Sequence, residues 1–278
     1  MRVLEFGFSP CPNDTFAFHA LVNGLVGPLD LDIRPFMADV ERLNHLALRG
    51  HLPLTKLSFH ALGHVLGDYA LLRSGAALGR GCGPLVVARP GFDPERLART
   101  TVAVPGRMTT AHLLLSLYLG QRPMVCPMEF SQVMPAVAAG SFDAGLVIHE
   151  GRFTYQQYGL TSILDLGQWW EQETGRPIPL GCIAARRDLG PELIGRLELA
   201  LAASVRAAWR DPAASQGFVL AHAQELSPEV TSQHIALYVN DFSADLGAEG
   251  LAAVEEMLAR GRGSGLLPPP AGPLGLDT

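Results

Sequence analysis

Strand and helix signals alternate along the first part of the chain. Two distant stretches share one pattern, and a self-contained strand–helix set lies between them. Together these observations predict an α/β fold of two lobes with a central cleft. Val3 to Phe8 is an apolar strand, stopped by the loop Ser9-Pro10-Cys11-Pro12-Asn13-Asp14. Thr15 to Val22 follows as a helix, with Asn13 or Asp14 as its cap. Leu29 to Pro35 reads as a strand, Asp39 to Leu48 as a helix closed by Gly50, Leu54 to Leu57 as a strand, and Phe59 to Leu66 as a helix. Alternation of this kind predicts βαβ units in a mostly parallel sheet.

The repeated stretches are Gly83 to Arg89 and Pro179 to Arg186. Each opens on small residues, continues as an apolar strand and leaves through an arginine. Between them, Thr101 to Val104 is a strand, Thr110 to Tyr118 and Ser131 to Ala139 are helices, and Phe142 to Ile148 is a strand. Residues 1–89 and 181–278 are therefore expected to form the first lobe, and residues 90–180 a second lobe inserted into it. Two crossover strands would join them, as in a periplasmic-binding-protein fold of type II, with the ligand in the cleft. The carboxyl-terminal part reads as helices over Leu193 to Trp209, Pro212 to Gln224, Pro228 to Val239 and Ala248 to Arg260. Gly261 to Thr278, rich in Gly and Pro, reads as a surface wrap or a disordered tail.

Composition narrows the function classes. The chain has 278 residues, of which 48% are hydrophobic, enough for a sizeable core. The net charge of -6 comes without a basic stripe, which argues against a nucleic-acid partner. No secretory signal and no run long enough for a membrane helix is evident, so a cytoplasmic protein with no membrane insertion is expected. Cys11, Cys82, Cys126 and Cys182 are scattered and form no CxxC pair, which speaks against a zinc knuckle or a redox motif. Nothing in the sequence gives the oligomeric state.

His149 is the candidate catalytic residue. It ends the apolar run Ala144 to Ile148, and ligands of open α/β sheets sit outside the carboxyl ends of strands. Its side chain is the type that titrates near neutral pH. Three strand-to-helix junctions carry small hydroxyl residues: Ser9 to Thr15, Thr55 to Ser58, and Pro105 to Thr110. At such junctions the free amides of the next helix favour an anion. The same residues also serve as ordinary helix caps. Gly106 suits a close backbone approach, but no GxxxxGK[ST] follows it. Gly79 to Gly83 lacks the context of a dinucleotide site and reads as a flexible or close-packed segment near the hinge. His149-Glu150 is not HExxH, and no GxSxG is present. His60 and His64 share a helix face without a third ligand, and Trp169-Trp170 reads as core packing.

Four segments carry a more specific resemblance: Gly7 to Phe16, Leu54 to Ser58, Pro105 to Thr110, and Leu146 to Tyr155. In this order and spacing they resemble the 1,4-dihydroxy-6-naphthoate synthases, menaquinone enzymes of the futalosine pathway. The resemblance implies a carbon–carbon lyase acting on cyclic dehypoxanthinyl futalosine, a carboxylated small molecule, with release of a three-carbon fragment. It implies that His149 is the general base and that Lys56, Leu57, Ser58, Thr109 and Thr110 bind substrate. Ser9 and Asn13, at the first junction, complete the expected binding set. Aromatisation of the product would drive such a cleavage, so neither a metal nor another cofactor is expected. Two alternatives share the fold: a cytosolic carboxylate-binding protein without turnover, and the sister chorismate dehydratases, which look less like the His149-Glu150 segment.

Overall fold

The structure is a computed structural model that describes residues 2–27, 30–223 and 227–276. Its strands are β1 (Arg2–Phe8), β2 (Leu31–Met37), β3 (Leu54–Ser58), β4 (Tyr69–Leu71), β5 (Ala77–Gly79), β6 (Leu85–Ala88), β7 (Val102–Val104), β8 (Val125–Pro127), β9 (Ala144–Val147), β10 (Thr161–Asp165) and β11 (Ile178–Arg186). Its helices are α1 (Pro12–Val22), α2 (Val40–Ala47), α3 (Phe59–Val65), α4 (Thr110–Leu119), α5 (Phe130–Ala138), α6 (Gly151–Thr154), α7 (Leu166–Thr174), α8 (Pro191–Arg210), α9 (Gln216–His222), α10 (Pro228–Tyr238), α11 (Asp241–Ala244) and α12 (Gly247–Gly263).

The strands form two sheets. One has the order β2-β1-β3-β11-β4, with β5 also paired to β11; the other has the order β10-β6-β9-β7-β8. The chain leaves the first sheet after β5 and returns to it at β11. Gly79 pairs with Ile178, so the outgoing and returning segments run side by side. The repeated stretches lie just inside these crossings, β6 in the second sheet and β11 in the first. Both strands run antiparallel to their neighbours, whereas β1 with β2 and β3, and β7 with β8 and β9, are parallel. The sheets are therefore mixed rather than mostly parallel. The βαβ units supply the parallel pairs, and the strands beside the crossings supply the antiparallel ones.

Local chemistry accounts for most of the boundaries. Asp39 caps α2 by accepting the Arg42 amide at 3.0 Å, and Thr109 caps α4 by accepting the His112 amide at 3.2 Å. Asp165 accepts the amides of Gly167 and Gln168 at the start of α7. The first helix begins earlier than the sequence predicts. Pro12 occupies its first turn, where a fixed φ is favourable, and Cys11 stands at the cap position without a side-chain bond. Asn13 and Asp14 thus lie inside the helix and cap nothing. The helix expected over Pro212 to Gln224 is a 3-10 turn, Pro212–Ser215, followed by α9. Gln224 and Leu29 fall outside the described residues. The sequence pattern predicts no strand at β4, β5, β8 or β10, which the structure adds.

One apolar cluster draws on both sheets, joining Leu57 and Leu62 to Val86, Val104, Leu114 and Trp170. The core is therefore continuous behind the cleft. Trp170 is fully buried within it, and its indole donates to the Pro177 carbonyl at 3.1 Å. The tail wraps the surface of the first sheet: Leu71 donates its amide to the Leu274 carbonyl, and Arg187 donates to the Pro273 and Gly275 carbonyls. Gly83, at φ 139, lies against Gly167 beside the crossings. A Cβ on Gly167 would stand 2.0 Å from the Cys82 carbonyl oxygen. Among the described residues no helix is long and apolar enough to cross a membrane.

Gly167→Ala is expected to destabilise the fold by about 1–3 kcal/mol, the usual cost of forced overpacking. Gly195→Ala, in the middle of α8 with nothing within 4 Å, is expected to stabilise it by about 0.5–1 kcal/mol. Chemical denaturation of the two variants should show midpoints displaced in opposite directions.

Candidate active site

The cleft between the sheets holds about 580 Å³ of empty space, part of it open to solvent. Its floor comes from β3. Strand alternation sends Lys56 and Ser58 into the cleft and Leu57 into the core behind. Lys56 is buried and paired with the equally buried Asp14 of α1. Asp14 also accepts the Ser9 amide at 3.1 Å, the Ser9 hydroxyl at 2.7 Å and the Asn13 side-chain amide at 2.9 Å. This set of bonds closes the loop of residues 9–14 onto β3. Asn13 in turn accepts from His234 Nε2 at 2.9 Å, which brings α10 to the same wall.

The opposite wall comes from the second sheet. Beyond β9 the chain turns sharply at His149, the only non-glycine residue with positive φ among those described, at 55°. That conformation is uncommon for a residue with a Cβ, and strain of this kind costs of order 1–3 kcal/mol. The surroundings hold it in place. The amides of Gly151 and Arg152 bond to the Ile148 and His149 carbonyls. Arg152 ties the turn to the start of β6 by donating to the Gly83 carbonyl at 3.1 Å and to Asp165 at 2.7 Å. The His149 ring lies parallel to that of His234, with centroids 6.1 Å apart, and meets Phe130 at 5.6 Å. Withdrawal from water pushes its pKa down to about 4; Asp14 and Asp39 oppose the shift and Lys56 adds to it. The ring is therefore neutral at pH 7. His234, fully buried, is held well below the usual imidazole range by burial first and by His149 and Lys56 after it.

Thr109 and Thr110 complete the site at the start of α4. The Thr109 hydroxyl donates to the Gly106 carbonyl at 2.9 Å and the Thr110 hydroxyl to the Leu180 carbonyl at 2.6 Å. Both side chains are thus engaged with the protein, while the first-turn amides of α4 have no carbonyl within the helix. Ser58 differs. Its Oγ accepts from Asn44 Nδ2 at 3.1 Å, which leaves its hydrogen available to a ligand.

Of the residues expected at the site, His149, Lys56, Ser58, Thr109, Thr110 and Asn13 line one cleft. Ser9 lies beside it, in a small adjoining hollow that His149 also lines. Leu57 is not among the lining residues. Sequence reasoning passed over Asp14 except as a cap, and gave no role to Asn44, His234 or Tyr238, which lies beside His234 on the cleft wall. Their helices carry no motif that separates them from ordinary polar positions. Cys11, His149 and Glu150 bring a thiol, an imidazole and a carboxylate within 4.8 Å of one another. Burial and the Glu150 carboxylate push the Cys11 thiol well above its usual range, so it is held as the neutral thiol.

Two mixed sheets flanking a cleft, with ligand-facing groups on both walls, define a periplasmic-binding-protein-like fold. Solved structures agree. An alkanesulfonate-binding protein from Xanthomonas axonopodis, bound to MOPS, superposes with a TM-score of 0.72 at 15% identity, covering 97% of this chain and 95% of its own. That likeness shows the fold alone. A protein from Archaeoglobus fulgidus is nearer, with a TM-score of 0.89 at 33% identity over 95% of this chain and 98% of its own. Residues 4–262 match the family model described as menaquinone biosynthesis. Curated relatives from Thermus thermophilus and Streptomyces coelicolor, each named 1,4-dihydroxy-6-naphtoate synthase, are 52% and 51% identical. The first alignment covers 99% of both chains and the second 95% of both. The chain belongs to the menaquinone-biosynthesis family.

Removing one partner of a buried ion pair strands the other, at a typical cost of about 3–5 kcal/mol. Asp14→Ala is expected to lose stability in that range, because Lys56 would remain buried without its carboxylate. Urea denaturation of the variant beside the unaltered protein measures the difference.

Proposed function

We propose that this protein is a cytoplasmic carbon–carbon lyase that converts cyclic dehypoxanthinyl futalosine to 1,4-dihydroxy-6-naphthoate, with His149 as general base. The observation that carries this reading is the meeting of a neutral imidazole, held in a strained turn, with Ser58 and the start of α4 across one cleft. The names of the two curated relatives support it.

The substrate joins a carboxylated bicyclic ring to a ribose remnant. Its carboxylate suits the start of α4, where the amides of Thr110 and Ala111, ahead of the capped His112 amide, and the helix dipole favour an anion. The Ser58 hydroxyl donates to a substrate oxygen and is oriented for this by Asn44. Lys56 is neutralised by Asp14, so it supplies a local positive field rather than a free cation. His149 accepts a proton as the carbon–carbon bond breaks, and aromatisation of the ring drives release of the three-carbon fragment. A positioned general base of this kind contributes about 10²–10⁴-fold in rate. The depressed pKa keeps the base unprotonated across the neutral range. A substrate carboxylate entering the cleft adds negative charge, which raises the affinity of the ring for a proton.

His149→Asn is the appropriate variant, because Asn tolerates the left-handed conformation better than most residues. Mass spectrometry of the products is expected to show naphthoate from the unaltered enzyme and a rate about 10²–10⁴-fold lower from the variant. Ligand binding without any product would identify a binding protein instead, and turnover of chorismate would identify the sister activity.

The pH profile follows from the same shift. His149 is neutral above about 4 and protonated below it. The acid limb of kcat/KM is therefore expected near pH 4, with a flat profile through pH 6.5. Steady-state rates across that interval check it; a limb at pH 6 to 7 would contradict the burial argument.

A further inference from the structure

Glu41 and Asn44, three residues apart on α2, bond to both walls of the cleft. Glu41 reaches from the first sheet's side to the β7–α4 loop of the second. Its Oε1 and Oε2 accept the Met108 amide at 3.0 and 3.1 Å. The carboxylate lies flat against Gly106, and a Cβ there would stand 2.2 Å from Glu41 Cδ. Gly106 has no need of positive φ, so its small size serves this contact.

Asn44 is fully buried and reads three partners at once. Its Oδ1 accepts the Ser58 amide at 2.9 Å. Its Nδ2 lies 3.1 Å from Ser58 Oγ, 3.2 Å from the Met108 carbonyl and 3.3 Å from Glu41 Oε2. His60 adds a neighbouring tie, donating from Nδ1 to the Thr109 carbonyl at 3.2 Å. His45 Nε2 stands 3.3 Å from Glu41 Oε1 on the solvent side.

We propose that Glu41 and Asn44 are positioning residues that latch the β7–α4 loop to the first sheet and so fix Ser58 opposite the first turn of α4. The proposal rests on the catalytic reading above for its kinetic consequence, but not for its structural one. Neither residue is among those lining the cleft. The latch acts through Met108 and Ser58, and it needs hydrogen-bond acceptors rather than a charge. Glu41→Gln keeps one acceptor, at the Oε2 position, for Met108 and Asn44, but sets an amide NH2 at the Oε1 position beside the Met108 N–H, so it should weaken the latch without abolishing it. Glu41→Ala removes the acceptors. Gly106→Ala expels the carboxylate while leaving Glu41 in place.

The test pairs hydrogen exchange at the Met108 amide with steady-state kinetics on cyclic dehypoxanthinyl futalosine, for the full chain and these variants. The expected result is faster Met108 exchange in Glu41→Ala and Gly106→Ala, with kcat/KM lower by about 10²-fold, the size of loss that a misplacement of about 1 Å produces. Glu41→Gln, which keeps one of the two acceptors, should fall between the unaltered protein and Glu41→Ala in both measurements. Adding Gly106→Ala to Glu41→Ala should cost little more, because the clash and the bridge disappear together. Independent, additive losses, or unchanged Met108 exchange in Glu41→Ala, would overturn the latch. If the unaltered protein made no naphthoate, the catalytic reading would fail, and Met108 exchange would still decide the latch by itself.

Discussion

The buried pair of Lys56 and Asp14 is the constraint on which the site depends. A lysine in the middle of a fully buried strand is tolerable only with a partner, because an unpaired buried charge is costly. Asp14 reaches it only if α1 starts at Pro12, and this start folds the loop of residues 9–14 over β3. The remaining acceptor capacity of Asp14 is filled by Ser9 and Asn13, and Asn13 extends the network to His234. One ion pair thus orders a strand, a loop and two helices around the floor of the cleft. It also places a carboxylate and an ammonium near His149 with opposing effects on the ring's proton affinity, so that burial decides the outcome.

The second wall is built on a different principle. The His149 backbone sits where few side-chain-bearing residues sit, and the cost is met by helix α6 and by the Arg152 bonds to Gly83 and Asp165. A regular strand end would continue the pleat and aim the next side chain along it. The left-handed turn instead brings the imidazole against Phe130 and parallel to His234. The same Arg152 contact reaches the crossing near Gly83 and Gly167, so the geometry of the turn and that of the crossings are linked through one guanidinium.

Much of this was legible in the sequence, for identifiable reasons. Apolar runs ending in polar residues located β3 and β9, and so Ser58 and His149. The hydroxyl-bearing junction of Pro105 to Thr110 located the start of α4 and so Thr109, whereas Asp39, read as the first residue of a helix, stands as the cap of α2. What could not be read were interactions between distant segments. Asp14 looked like a cap because its true partner, Lys56, lies 42 positions away. Asn44 and His234 occupy polar positions on helices with no motif, and only their packing against β3 and α1 shows their use. The parallel prediction for the sheets failed for a similar reason. Local patterning specifies a strand, but the direction of β6 and β11 is set by the path of the chain between sheets.

The central claim is that a carboxylated aromatic ligand lies between Ser58 and His149. A crystal structure with 1,4-dihydroxy-6-naphthoate bound tests it most directly. The account predicts the carboxylate at the start of α4, a ring oxygen at the Ser58 hydroxyl, and the His149 imidazole within hydrogen-bonding reach of the ligand. Density for the naphthoate elsewhere, for example in the hollow lined by Phe16, Val219 and Ile235, with the cleft filled only by water, would contradict it.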